Sequence, residues 1–77
     1  MIKEYERVVL TMDLPQSDLK AGDMGVVVMI HGDNEGYEVE IFSADGHTLD
    51  VVTLEADRVR PVSGRDVMHV RALPEEV

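Results

Sequence analysis

Apolar and polar residues alternate along much of the chain, most regularly over residues 37–41, where Val39 lies between Glu38 and Glu40. Alternation with a period of two is typical of a β-strand that buries one face. Four further runs, rich in β-branched residues and bounded by Gly, Pro or Asp, indicate strands at 5–12, 26–30, 48–54 and 58–62. Residues 55–57 are too few for an α-helix, so we expect one helical or 3₁₀ turn there. The pattern therefore predicts an all-β chain with five strands.

The segments outside these strands carry fewer signals. Residues 16–25 are mostly polar, with two glycines three positions apart and one leucine, Leu19, which predicts a loop that reverses sharply and buries that leucine. Apolar and polar residues alternate weakly over residues 67–73, and the pattern ends at Pro74. A sixth strand and a short helix are therefore alternatives for this segment. The residues predicted to form the core are Val8, Leu10, Leu19, Val26, Val28, Val39, Ile41, Leu49, Val51 and Val59.

The hairpin between the third and fourth strands has a predictable loop. A three-residue loop of residues 44–46, with Gly46 at positive φ, pairs Ile41 with Leu49 and Val39 with Val51. A two-residue loop would place Asp50 opposite Ile41 on the core face, at a desolvation cost of several kcal/mol unless the carboxylate were paired or protonated. The three-residue register leaves Glu40 opposite Asp50 on the outer face, with Glu38 two residues along. Like charges opposed across a ladder destabilise it, so Glu38, Glu40 and Asp50 are candidate contacts for a basic partner, unless Arg58 or Arg60 neutralises them.

Length and charge narrow the class of protein. The chain has 77 residues and a formal net charge of −9, from seven Lys or Arg and 16 Asp or Glu with histidine neutral. A chain this short has room for one core, so we expect a single domain over 1–77, with its core at about 5–62 and a C-terminal extension at 63–77. No apolar run reaches the ~18 residues of a membrane span, and the first residues lack the basic start and apolar core of a signal peptide. A cytoplasmic location is therefore expected, without membrane contact.

Candidate catalytic and metal chemistry finds little support. The chain has no cysteine, and its histidines, His31, His47 and His69, do not have metal-ligand spacing. None of its serines lies in a nucleophile-elbow motif, and its glycines form no phosphate-binding loop. A small barrel fills its interior with side chains, so no ligand pocket of the ~300 Å³ class is expected. We predict that the protein is not an enzyme and uses no metal or cofactor.

Four short motifs occur in order between residues 19 and 62. They are Gly-Asp-x-Gly at 22–25, Tyr-Glu-Val-Glu at 37–40, Asp-Gly-x-Thr at 45–48 and Arg-Pro-Val at 60–62. Together they resemble the bacterial family called domain of unknown function 4926. The resemblance implies a small, strongly twisted SH3-like barrel and carries no established activity or catalytic residues. One departure is the pair Ile41 and Phe42, where a single aromatic residue is expected, so the resemblance leaves open which of the two faces the core.

Two functional hypotheses follow. The first is a non-enzymatic protein-binding module, such as the antitoxin or accessory subunit of a two-gene pair, that meets a basic protein through Glu38, Glu40 and Asp50. The second is a KOW-like nucleic-acid-associated barrel, and it is favoured by a cluster of four of the seven basic residues within the last 20. Residues 22–27 are also similar to the KOW motif, where a glycine turn feeds a strand beside an RNA-binding loop. In that case nucleic acid would be contacted by arginines near the C-terminus. The net charge of −9 disfavours this second hypothesis, because it repels phosphate backbones at long range. The four arginines concerned are Arg58, Arg60, Arg65 and Arg71.

Overall fold

The computed structural model describes residues 2–73, and they form one antiparallel sheet. Its strands are β1 (Arg7–Leu10), β2 (Met24–His31), β3 (Gly36–Phe42), β4 (Thr48–Glu55) and β5 (Val59–Pro61). The strand order is β4-β3-β2-β1-β5, so β1 joins the β2–β4 meander to β5. Single 3₁₀ turns occur at Pro15–Ser17 and at Ala56–Arg58, the second linking β4 to β5. The all-β class, the five strands and the turn before β5 are confirmed, and this arrangement is compatible with the SH3-like barrel.

The loop before β2 folds as its glycines and Leu19 indicate. Leu14 and Leu19 form an isolated bridge around the turn Pro15–Ser17, and Asp18 adopts left-handed φ and ψ there. Leu19 is buried in the core, whereas Gly22, at φ +94°, completes the reversal into β2. Both parts of the prediction for this loop are confirmed.

The core lies on one face of the sheet and differs in part from the predicted set. Val8, Val27 and Val39 are fully buried. The other buried apolar side chains are Ile2, Val9, Leu10, Leu19, Tyr37, Ile41, Leu54 and Val59. Six of the predicted core positions are confirmed, namely Val8, Leu10, Leu19, Val39, Ile41 and Val59.

Four predicted core positions are wrong, because bulges change the alternation of two strands. In β2 the register shifts between Val27 and Met29, and Val27 rather than Val26 opposes the buried Val39. Val26 and Val28 are accordingly only partly buried. In β4 the shift leaves Leu49 and Val51 exposed by 39% and 49%. An extra residue in one strand locally reverses which side chains face inward, and this exchanges the predicted and the observed core positions.

The β3–β4 hairpin shows where the register prediction fails. Ser43 and His47 close a three-residue loop through Ser43 N–H to His47 C=O, 2.9 Å, and Gly46 has φ +90° as predicted. Phe42 then pairs with Thr48, but Ile41 pairs with Asp50, because Leu49 is an extra residue in β4. The loop is therefore right, whereas the pairs Ile41–Leu49 and Val39–Val51 are wrong; Val39 opposes Val52. The shift brings Val52 and Leu54, rather than Leu49 and Val51, toward the core.

The C-terminal part of the described chain forms neither a sixth strand nor a helix. After β5 the chain turns at residues 63–66, where Asp66 N–H donates to Ser63 C=O over 3.0 Å. Residues 67–73 then run without regular secondary structure. Both alternatives for this segment are therefore wrong. Within residues 2–73 no helix has the length and apolar composition needed to cross a membrane.

Candidate functional site

Glu38 and Glu40 lie on the face of β3 that points away from the core. Glu38 is flanked by Met29 of β2 and Thr53 of β4, and Glu40 is flanked by Val26 and Val51. Met29 and Val51 are each 49% exposed. The carboxylates of Glu38 and Glu40 therefore sit among exposed apolar side chains, on a surface that we call the acidic face.

Local contacts hold the two glutamates in place. The carboxylate of Glu38 lies 3.3 Å from His31 Nε2. Thr48 Oγ1 donates a hydrogen bond to Glu40 Oε2, 2.5 Å. No Lys or Arg among the described residues forms an ion pair with either glutamate. Their negative charge is thus available to a partner.

Asp50 does not join this surface in the way that the sequence indicated. It opposes Ile41, one position away from Glu40, whose partner across the ladder is Val51. The Asp50 carboxylate accepts the N–H of Val51 over 2.8 Å. The predicted opposition of Glu40 and Asp50 is therefore wrong, because the bulge at Leu49 shifts the register by one residue. Glu38 and Glu40 remain neighbours on one face.

The candidate arginines lie at separate places on the molecule, and two of them form bidentate ion pairs. Arg60 donates from both terminal nitrogens to Asp66, each at 2.9 Å. Arg71 donates to Asp23 from Nε over 2.9 Å and from Nη2 over 2.6 Å. Arg60 is thus committed to Asp66, and among the described residues no ion pair joins it to Glu38 or Glu40.

The remaining two arginines lie apart from these pairs. Arg58 has only a long contact of 3.9 Å with Asp57, and it borders a depression beside β4. Arg65 is exposed, and its backbone N–H donates to Ser63 Oγ. The four arginines thus do not form one continuous basic surface, and two of them are already bound to carboxylates.

The two bidentate pairs lower the pKa values of the aspartates that they contain, Asp66 and Asp23. The Arg60 hydrogen bonds, helped by the Ser63 N–H, lower the pKa of Asp66 to about 2. Partial burial raises the pKa of Asp23, but hydrogen bonds from Arg71 and from the Lys20 N–H outweigh it, so that the pKa of Asp23 is lowered overall. Both carboxylates stay ionised at neutral pH and hold their arginines.

Charge is segregated along the sequence and in the fold. Residues 21–57, which include β2, β3 and β4, contain nine Asp or Glu and neither Lys nor Arg. The other 40 residues contain seven acidic and seven basic residues, so the whole net charge of −9 belongs to the β2–β4 part. This signal is present in the sequence but was not used in the predictions above, which considered the basic residues only at the C-terminal end.

A surface groove of about 530 Å³ lies between residues 68–73 and one end of the sheet. Its sheet side includes Met24, Ile41, Phe42 and Leu49. The expectation that the protein has no cavity of ligand size is therefore wrong. The groove lies at the surface, where the C-terminal segment borders the end of the sheet beside Leu19 and Ile41. Ile41 points into the core and Phe42 is 41% exposed, which decides the question left by the motif.

The histidines do not gather into a metal site. His47 Nδ1 lies 2.9 Å from Asp45 in the β3–β4 loop, and His31 lies beside Glu38. His69 lies in the C-terminal segment, along the groove. Within residues 2–73 no group of three His, Cys, Asp or Glu side chains is placed to hold a metal ion.

Comparison with known proteins adds one finding. The family model described as Domain of unknown function (DUF4926) matches residues 4–61, which include all five strands. The chain belongs to this family. The match extends the resemblance of residues 19–62 back through β1 and ends before the C-terminal segment. No curated protein and no solved structure matched the chain.

Proposed function

We propose that this DUF4926 protein is a non-enzymatic protein-binding module that takes a basic partner on the acidic face of its β2–β4 meander. The observation that carries the proposal is the segregation of charge: the meander part holds the entire net charge of −9 and has no Lys or Arg. A surface of one sign attracts an oppositely charged protein and speeds its association.

The mixture of side chains on the acidic face supports a basic partner in particular. Lys and Arg bury their aliphatic stems along apolar surface while the charged head reaches a polar group. Met29 and Val51 offer such surface directly beside Glu38 and Glu40. An antitoxin or an accessory subunit that neutralises a basic protein is the form that such a module would take.

A charge-reversal experiment tests this function. The wild type, Glu38→Lys/Glu40→Lys and a control, Glu4→Lys/Asp57→Lys, are used to capture proteins from the native host at low and physiological salt. The two double variants have the same net charge, so a difference between them reports on position. We expect wild type and control to retain a basic protein, and the acidic-face variant to lose it with its circular dichroism spectrum unchanged.

Two results would count against the proposal. Equal capture by both double variants would reject the acidic face as the binding surface. Salt-sensitive retention of RNA or DNA, lost in Arg58→Glu/Arg60→Glu, would instead favour the KOW-like, nucleic-acid-associated function, because phosphate contacts show this salt dependence.

A further inference from the structure

The C-terminal segment of the described chain is a strap fixed at its two ends by arginine–aspartate pairs. We use the word strap for residues 66–73. At its start Asp66 is held by Arg60 and accepts the Ser63 N–H over 2.6 Å. Near its end Arg71 reaches back across the sheet to Asp23. Bidentate Arg–carboxylate pairs combine strength with a fixed geometry, so these two pairs determine the path of the strap.

Along the strap, most of the apolar side-chain surface is exposed to solvent. Val67 and Val70 are exposed by 88% and 87%, Met68 by 61% and Leu73 by 48%. Full burial of a large aliphatic side chain contributes ~1.5–3 kcal/mol. The apolar side chains of the strap lack most of this stabilisation, because they remain largely exposed. Among the described residues, the attachment of the end of the strap therefore depends mainly on Arg71.

The guanidinium group of Arg71 lies in a small binding site of oxygen acceptors, which we call the seat. Asp23 provides both carboxylate oxygens, and the backbone C=O of Asp18 accepts a further hydrogen bond from Nη2 over 3.1 Å. The loop that presents these groups is itself fixed, since Asp23 Oδ2 also accepts the Lys20 N–H over 2.8 Å. The apolar groove bounded by Met24, Phe42 and Leu49 lies directly beside this seat.

We propose that this seat and the sheet side of the groove beside it form a docking site for an arginine-bearing, apolar segment of a partner protein. The strap covers the site in cis: Arg71 fills the seat, and Met68, Val70 and Leu73 form the other wall of the groove. The inference rests on the proposed function in one respect, namely that the partner is basic. The chain's own occupant shows the chemistry that fits: a guanidinium on Asp23 with apolar neighbours along the groove. Asp23 also belongs to the part of the chain that carries the whole net charge, which attracts a positively charged segment.

Because the strap covers the docking site in cis, the strap and the partner compete for that site. A tethered segment acts at an effective concentration of about millimolar, so a partner must displace it or wait for its release. The apparent affinity for the partner is lowered by the fraction of molecules in which the site is free. A partner segment with a larger apolar side chain would pack directly against Met24, Phe42 and Leu49, and it would displace a strap that leaves most of its own apolar surface in solvent.

Release of the strap in the full-length chain tests the proposal. The probe is a fluorescent peptide with the sequence of residues 66–73 and blocked termini, and binding is followed by fluorescence anisotropy. Arg71→Gln should bind the probe at least about tenfold more tightly than wild type, because the cis competitor has lost its guanidinium. The matched control Arg65→Gln changes the same charge outside the seat and should bind like wild type.

Two further variants identify the site. Adding Asp23→Asn to Arg71→Gln should abolish binding, as should replacing the probe's arginine by glutamine. Asn at position 23 keeps an acceptor for the Lys20 N–H, and a thermal melt checks the fold. If that variant does not fold, Phe42→Ser in the Arg71→Gln background reports on the groove instead and should weaken probe binding.

The proposal is overturned if Arg71→Gln and wild type bind the probe equally, or if Arg71→Gln shows no binding at about millimolar probe, the effective concentration of the tether. Binding that survives both Asp23→Asn and Phe42→Ser would also overturn it. These results are separate from the test of the acidic face, which uses Glu38 and Glu40 and does not depend on Arg71. If the probe-binding test fails while the acidic face still captures a basic protein, the protein-binding function is kept and only the docking site is rejected.

Discussion

Of the two glycines within the strands, Gly25 and Gly36, Gly25 has less room for a side chain. It pairs with Val8 of β1 and with Ile41 of β3, and its backbone is buried. A Cβ added there would lie 2.6 Å from Val39 Cγ1, 2.7 Å from the Glu40 carbonyl oxygen and 2.8 Å from Ile41 Cδ1. One of these atoms is backbone, and Val39 is fully buried, so neither can move away without disturbing the β2–β3 pairing.

We therefore expect Gly25→Ala to destabilise the fold. Overpacking of a filled core by one methyl group costs about 1–3 kcal/mol. Loss of glycine's freedom in the unfolded chain offsets only about 0.4–1 kcal/mol of this. A domain of this size has a free energy of unfolding of roughly 4–12 kcal/mol, so the net loss, about 1.3 kcal/mol at the midpoints of these ranges, is substantial. It corresponds to a fall in Tm of about 5–10 °C.

Thermal and urea unfolding followed by circular dichroism measures this effect, with Gly64→Ala as the control. Nothing lies within 4 Å of a Cβ at Gly64, so its stability should be unchanged or slightly raised. Val39→Ala removes the nearest clashing atom, and in that background Gly25→Ala should cost at least about 0.5 kcal/mol less than in the wild type. A Gly25→Ala variant as stable as wild type, or strict additivity in the double variant, would refute the packing argument.

Three other predictions concern the core, the hairpin and one ion pair. Val39→Asp should prevent folding, as seen by circular dichroism, because an unpartnered carboxylate would replace a side chain that is 0% exposed. Val51→Asp, at a position that is 49% exposed, should stay folded. A folded Val39→Asp together with an unfolded Val51→Asp would contradict the observed register. Gly46→Val should cost about 1–2 kcal/mol in urea unfolding through strain at positive φ, and no loss would place the hairpin loop in another conformation.

The Asp66 carboxyl should titrate near pH 2 by NMR rather than near its ordinary value of 3.8. Because its pKa is lowered in the folded state, the stability that it contributes is present above its unfolded pKa and is lost as the pH falls toward 2. Arg60→Gln should return the titration toward the ordinary value, and an unshifted midpoint in the wild type would exclude the bidentate pair.

Local patterns predicted the strands and the hairpin loop, because each depends on residues close in sequence. The alternation around Val39 identifies β3, and the Asp45-Gly46 pair identifies the loop. The register beyond the loop does not follow from local pattern, since β4 offers apolar side chains in both alternations, at Leu49 and Val51 and at Val52 and Leu54. The choice between them is made by contacts with β3, which are tertiary.

The elements of the candidate docking site were still harder to predict. Asp23 and Arg71 are 48 residues apart in sequence, and nothing local to either residue indicates that they meet. Gly25 resembles a turn glycine when seen beside Gly22, yet only Gly22 has positive φ, and Gly25 is needed for the approach of β3. Long-range pairs and packing glycines depend on the assembled sheet, and sequence pattern reports on them poorly.

The distribution of charge relates these structural features to function. In the half of the molecule that contains β1, β5 and the strap, arginines are used to pair carboxylates, as in Arg60 with Asp66. In the meander, the same chain keeps its carboxylates and supplies no Lys or Arg to compensate for them. The net charge of residues 21–57 keeps the protein soluble without any partner, but it also attracts a positively charged segment at long range. Arg71, which reaches from the balanced half to Asp23, shows within one chain how such a segment can attach.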